Sequence, residues 1–185
     1  MEVCYEPTIE VLLKLAELED LDEKNIFRES RIEFLFMFMH QRVEEIYEGV
    51  SICHRWMSFD NFREDILNME NHSRSGWELD KDLLSPIGNK QYSPKTCCFL
   101  PREINLELIR LNYKSRYNRL PYTKFIKTHW ISTLDGSFFK TEIQAFEHSR
   151  KLKNIKLRGL ANKYKDFLPI YVYDCLCDFY ITQDT

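Results

Sequence analysis

The sequence predicts an α+β protein: a helical N-terminal part, a small ββα core, and a short antiparallel sheet packed on a C-terminal helix pair. Three observations carry this. Helically spaced apolar residues fill 26–47, strand-like runs separated by turn residues stand at 77–84, 98–100 and 121–140, and a capping box opens a long helical pattern at Thr141.

Taken in order, Thr8 after Pro7 caps a helix over 8–20, with Ile9, Leu12, Leu13 and Ala16 at helical spacing. In the helix over 26–47, Ile32, Leu35, Phe36, Met39, Val43 and Ile46 make one stripe. Phe34, Met37 and Phe38 widen it, so other elements are expected to wrap it. Gly49 ends this helix and an extended VSIC leads to Trp56. Ser58 then caps a helix with Phe59, Phe62, Ile66 and Met69 along one side. NHSRSG reads as a loop, Trp77 to Leu84 as a strand, 85–93 as a loop, Ser93-Pro94 as a turn, and Cys98 to Leu100 as a strand. Pro101 is placed as the first residue of a helix to about 112. PYTKFIKTHWISTLDGSFFK alternates as a hairpin with Leu134-Asp135-Gly136 as its turn. Thr141 with Gln144 starts a helix to about 166 along Ile143, Phe146, Ile155, Leu157 and Leu160, and Pro169 starts the last one. The regions are 1–48, 49–112 and 113–185.

With 185 residues, 44% of them hydrophobic, the chain can bury the core of one domain or two small ones. MEVCYEPTIEV has no basic leader with a cleavage site, and the longest apolar run, FLFMFM, is too short to span a bilayer. A cytoplasmic location without a membrane partner is expected. Six cysteines, none in a C-x-x-C pair, read as reduced and mostly buried thiols, so no structural zinc is expected. The formal net charge of −3 is unevenly spread: −11 over 1–89, +12 over 90–165 and −4 over 166–185. A local basic field is what a polyanion meets; the other reading is a set of solvated helix faces folding against the acidic half.

The stretches YEGVSICHRWMSFDNFREDI, LDKDLL, GNKQYSPKTCCFLPREIN and DGSFFKTEIQAF together resemble a known family from residue 47 onward. It comprises small phage-encoded proteins that join an HNH-type nuclease core to a domain similar to plant ethylene-response-factor DNA-binding domains. The resemblance implies that Asp80 and Asn105 take the places of ligands to Mg2+ or Mn2+. Lys81 stands in the place of the histidine base that deprotonates water. A lysine with an ordinary pKa near 10.4 is protonated at neutral pH, and the neighbouring Asp80 and Asp82 keep it so. Lys81 therefore suits a phosphate contact or a salt bridge replacing the metal, and His72 in the preceding loop is a candidate substitute base. Without the resemblance, ELDKDLL is a solvated hairpin edge and Asn105 a polar residue bonded near a helix start.

Domains of the second type lay a three-stranded sheet in the major groove. That places Lys114, Arg116, Arg119, Lys124, Lys127, Trp130 and Lys140 as nucleic-acid-binding residues, interleaved with Tyr113, Tyr117 and Tyr122. This region is short and lacks the usual glycine-rich first strand. A second basic stripe, Arg150, Lys151, Lys153, Lys156, Arg158, Lys163 and Lys165, falls on the following helix. The expectation is a phage-type DNA-binding protein on a degenerate, non-hydrolytic HNH-like scaffold. Two alternatives stand beside it: a metal-dependent HNH endonuclease, and an anti-defence effector that inhibits a host protein through its acidic N-terminal half.

Overall fold

The computed structural model describes residues 23–45, 49–86, 89–109 and 120–179. They divide into two compact units, Met1–Tyr47 and Glu48–Thr185. The helix expected over 8–20 lies outside the described residues.

In the first unit, helix α1 (Glu23–Glu45) buries Ile32 and Met39, two residues of the expected stripe. Phe34 and Met37, expected to be wrapped, are half exposed instead. They sit on a second ridge, where Phe34 stacks on Phe38 and the Arg42 guanidinium covers the Phe38 ring at 3.9 Å. The cation thus covers part of that aromatic ring.

The second unit mixes short helices and strands. Strand β1 (Val50–Ile52) leads through a 3-10 turn (His54–Met57) into helix α2 (Phe59–Asn68). Strands β2 (Trp77–Asp80), β3 (Lys90–Tyr92) and β4 (Cys98–Pro101) precede helix α3 (Arg102–Ile109). Strands β5 (Thr123–Ile126), β6 (His129–Ser132) and β7 (Phe138–Phe139) precede helices α4 (Glu142–Lys163) and α5 (Ile170–Cys177). The architecture is α+β, as the sequence predicts.

Among the described residues there are three small sheets. β2 and β4 are antiparallel with Trp77 opposite Pro101 and Asp80 opposite Cys98. β1 and β3 are parallel, Ile52 opposite Tyr92. β5, β6 and β7 form an antiparallel sheet in that order, with α4 packed against it. The order at 77–109 is three strands and a helix, β2 pairing with β4 and β3 with β1, and the predicted strand to Leu84 stops at Asp80, where a side chain takes over the backbone bonding. The predicted loop over 85–93 contains β3. Pro101 ends β4 instead of starting α3, since it pairs with Trp77 and the Arg102 amide bonds Gly76 O at 2.9 Å.

The core gathers Trp56, Phe62 and Ile66 near α2, Phe99, Leu100, Ile104 and Leu108 on β4 and α3, and Phe146, Leu157, Val172 and Leu176 on α4 and α5. Trp56 is fully buried, and its indole N–H donates to Asp65 at 2.8 Å while Phe62 meets its ring edge-on. Trp77 meets Tyr164 of the α4 C-terminus in the same edge-on manner. These contacts place β2, β4 and α3 on one side of α4 and the three-stranded sheet on another. α4 is capped by the predicted box, Thr141 and Gln144 bonding each other's backbone amides. Its buried face differs from the expected one. Ala145, Phe146, Ser149, Lys153, Leu157 and Ala161 face inward, while Ile143 and Ile155 are exposed.

Candidate nucleic-acid interface

The turn after β2 comes first, because Asp80, Lys81 and Asn105 were singled out there. Asp80 is 3% exposed. Its Oδ2 accepts the backbone N–H groups of Asp82 and Leu83 at 2.9 and 2.8 Å, a side-chain cap that ends the strand. Burial, then the neighbouring Asp82 charge, pushes its carboxyl up to about 7. Lys81 is also buried and donates to Asp82 at 3.1 Å, with the Tyr92 ring centroid 5.4 Å from its ammonium. Lys90 of β3 adds a second cation 2.7 Å from Asp82. This knot of two lysines on one carboxylate ties β3 to the end of β2.

Asn105 sits elsewhere in bonding terms. Its amide donates to Glu78 at 2.7 Å, and Arg102 reaches the same carboxylate at 3.4 Å. Asp80 and Asn105 share no partner, and the residue that meets Asn105, Glu78, was not picked out by sequence reasoning. Glu78 and Asp80 stand two apart on one strand, hence on one face, which is the signal that could have found it. His72 bonds Met69 O at 2.9 Å through Nδ1. The divalent ion implied by the resemblance fits these residues poorly. One Asp80 oxygen is taken by two amides, and Asn105 presents its NH2 group to a carboxylate.

The basic stripe on α4 is mostly committed to other partners. Lys153, 2% exposed, pairs with Glu107 of α3, which Lys156 also reaches at 2.6 Å. Burial raises the Glu107 pKa, but hydrogen bonds from the two lysines outweigh it and hold the group below the usual carboxylate range. Lys163 and the Tyr164 hydroxyl both bond Glu103. Arg150 pairs with Glu147 at 2.6 Å and Arg158 donates to Cys177 O at 3.0 Å. An i, i+4 acidic pair on α3 opposite lysines on α4 is a charge-matched helix contact.

The sheet presents a different surface. Ser132 lies 2.9 Å from Ser149 of α4 through their hydroxyls, Thr123 donates to Glu142, and Phe139 contacts the His148 ring. Strand alternation and register then put Thr123, Phe125, Trp130, Ser132 and Phe139 on the α4 side. Lys124, Ile126, His129, Ile131 and Phe138 occupy the outer side, where Lys124, Ile126, His129 and Phe138 are exposed. Trp130, expected to contact nucleic acid, thus faces the helix. Tyr122 does likewise, its ring lying 5.1 Å from the Lys153 ammonium.

Lys127 occupies the exposed β5–β6 turn in a left-handed conformation, φ 54°. Lys140 follows β7, where it lines a shallow groove with Phe138, Phe139, Gln144, Glu147, His148 and Lys151. Lys114, Arg116 and Arg119 lie outside the described residues. No strand of this sheet carries an acidic residue. The nearby carboxylates are engaged: Asp135 with His148 at 2.7 Å, Glu142 with the Leu120 amide at 2.9 Å, and Glu147 with Arg150.

No family model, curated protein or solved structure matches the chain. Among the described residues no helix is long and apolar enough to cross a membrane.

Proposed function

We propose that the protein binds DNA through the outer face of the β5–β6–β7 sheet, and that the Asp80–Asp82 turn is a scaffold without hydrolytic activity. The observation that carries this reading is the charge of that face. Lys124, Lys127 and Lys140 stand on or beside strands without carboxylates, and the neighbouring acids are held by other partners. Such a surface attracts phosphate without local competition. The non-hydrolytic part rests on Lys81, an ammonium buried against Asp82 where an HNH enzyme needs a proton acceptor.

Fluorescence anisotropy with a labelled oligonucleotide tests the binding. Replacing Lys124, Lys127 and Lys140 together by alanine should weaken it at least tenfold, while circular dichroism reports an unchanged fold; unchanged affinity sinks the assignment. Incubation of supercoiled plasmid with magnesium or manganese should leave it intact. Nicking that disappears in Asp80→Ala would establish an endonuclease instead.

A further inference from the structure

We infer that the outer sheet face is a stacking platform for the unpaired bases of single-stranded DNA, with Phe138 as its anchor. The inference rests on the DNA-binding reading and narrows it to a substrate class.

Phe138 is 70% exposed, a large apolar ring left in water at a strand whose partner residue is known. It stands opposite Ile131, which stands opposite Lys124, so an aromatic, an aliphatic and a cation form one row across the three strands. His129 meets Phe138 edge to face, centroids 6.3 Å apart and planes at 89°. A second, shorter row pairs His129 with exposed Ile126. Lysines flank both rows: Lys124 within the sheet, Lys127 at one turn, and Lys140 directly after β7.

This combination discriminates between forms of DNA. In a duplex the π-faces of the bases are covered by their neighbours, so sequence is read at base edges, most often by Arg, Lys, Asn or Gln. The strands of this sheet carry no Arg, Asn or Gln and a single lysine, Lys124, beside which their outer face offers an aromatic ring, an imidazole and two aliphatic side chains. Exposed aromatics on a sheet with flanking cations are what unpaired bases use: the ring takes a base face and the lysines take the phosphates. The charge pattern also argues against a protein partner of mixed polarity, since the face lacks the carboxylates such a partner's lysines and arginines would meet.

The experiment compares three labelled probes at low salt: oligo(dT), a strand of equal length carrying abasic sites throughout, and a duplex of equal length. The abasic strand retains the phosphates and lacks the stacking. Oligo(dT) should bind at least tenfold tighter than either of the others. Phe138→Ala, a surface change that spares the core, should weaken oligo(dT) binding by fivefold or more and alter abasic-strand binding less than twofold. Phe138→Trp should restore the loss. Equal or tighter binding of the duplex, or indifference of oligo(dT) to Phe138→Ala, overturns the stacking platform and leaves the DNA-binding reading intact. Failure of all three probes to bind overturns both. A dimer that Phe138→Ala dissociates, without oligo(dT) binding, assigns the face to a second copy of the chain and likewise overturns both.

Discussion

Two buried charged residues, Asp80 and Lys153, look alike in accessibility and act oppositely on the fold. Asp80 is surrounded by Asp82, Lys81 and the thiols of Cys97 and Cys98, and its carboxyl titrates near 7. The unfolded chain releases that proton near pH 4, so between roughly pH 4 and 7 the fold binds more protons and its stability falls as pH rises through that window. Asn at this position keeps an oxygen for the two amides and removes the charge. Asp80→Asn is therefore expected to be more stable than the native chain at pH 8, by roughly 1–3 kcal/mol, and to lose that advantage towards pH 5. Urea denaturation at both pH values checks it; an advantage that is equal at both removes Asp80 as the titrating group. Lys153 instead pairs with Glu107, so deleting it removes that carboxylate's buried cation, whereas Lys156 reaches it from the exposed side. Lys153→Met should cost about 2–4 kcal/mol, against less than ~1 kcal/mol for Lys156→Ala. The same denaturation curves measure the pair, and equal losses would show that burial does not separate them.

Elements whose partners are local were legible in the sequence, and those with distant partners were not. The Thr141 capping box and the Gly136 turn each lie within a few residues, and both form. β3 was missed because KQY has little apolar character and its partner β1 lies some 40 residues away in a parallel pairing that no turn announces. The α4 face was misread because apolar spacing cannot anticipate a buried lysine and serine that are satisfied by Glu107 and Ser132. Site residues fared similarly. Asp80 and Lys81 stand together at the end of β2, yet the burial that changes their chemistry depends on β3 and β4. Which side of the sheet Trp130 faces depended on a parity that contacts with α4, Ser132–Ser149 among them, fix. The β5–β6 turn offers a separate test, since Lys127 holds φ 54°, a conformation that costs a side-chain-bearing residue about 1 kcal/mol. Lys127→Gly removes strain and charge together. The thermal midpoint should stay constant or rise while DNA affinity falls; a lower midpoint would mean that the lysine contributes to the fold.

At the scale of the whole molecule, the +12 charge of residues 90–165 would suggest a broad electrostatic grip on a polyanion. Several of the seventeen cations behind that net charge are held by carboxylates. Lys153, Lys156 and Lys163 face the carboxylates of α3, Arg150 faces Glu147, and Lys90 faces Asp82. Around the sheet the described residues offer a small set of cations, Lys124, Lys127 and Lys140, with Lys151 of α4 lining the same groove as Lys140, beside an exposed aromatic. A grip by the whole basic segment and a grip by the sheet alone therefore differ in salt dependence. A protein that used its whole basic segment would neutralise six or more phosphates and lose on the order of a thousandfold in affinity between 50 and 200 mM salt. Three lysines on a single strand release about two counterions, so the expected loss is only about 20-fold, with a logarithmic slope near −2. Each single alanine at Lys124, Lys127 or Lys140 should reduce that slope by about 0.7, whereas Lys156→Ala, already committed to Glu107, should not change it. Anisotropy titrations across salt concentration read the slope directly. A native slope steeper than about −4 would move the interface onto α4 and the wider basic segment, and an unaltered slope in all three sheet variants would remove it from the sheet altogether.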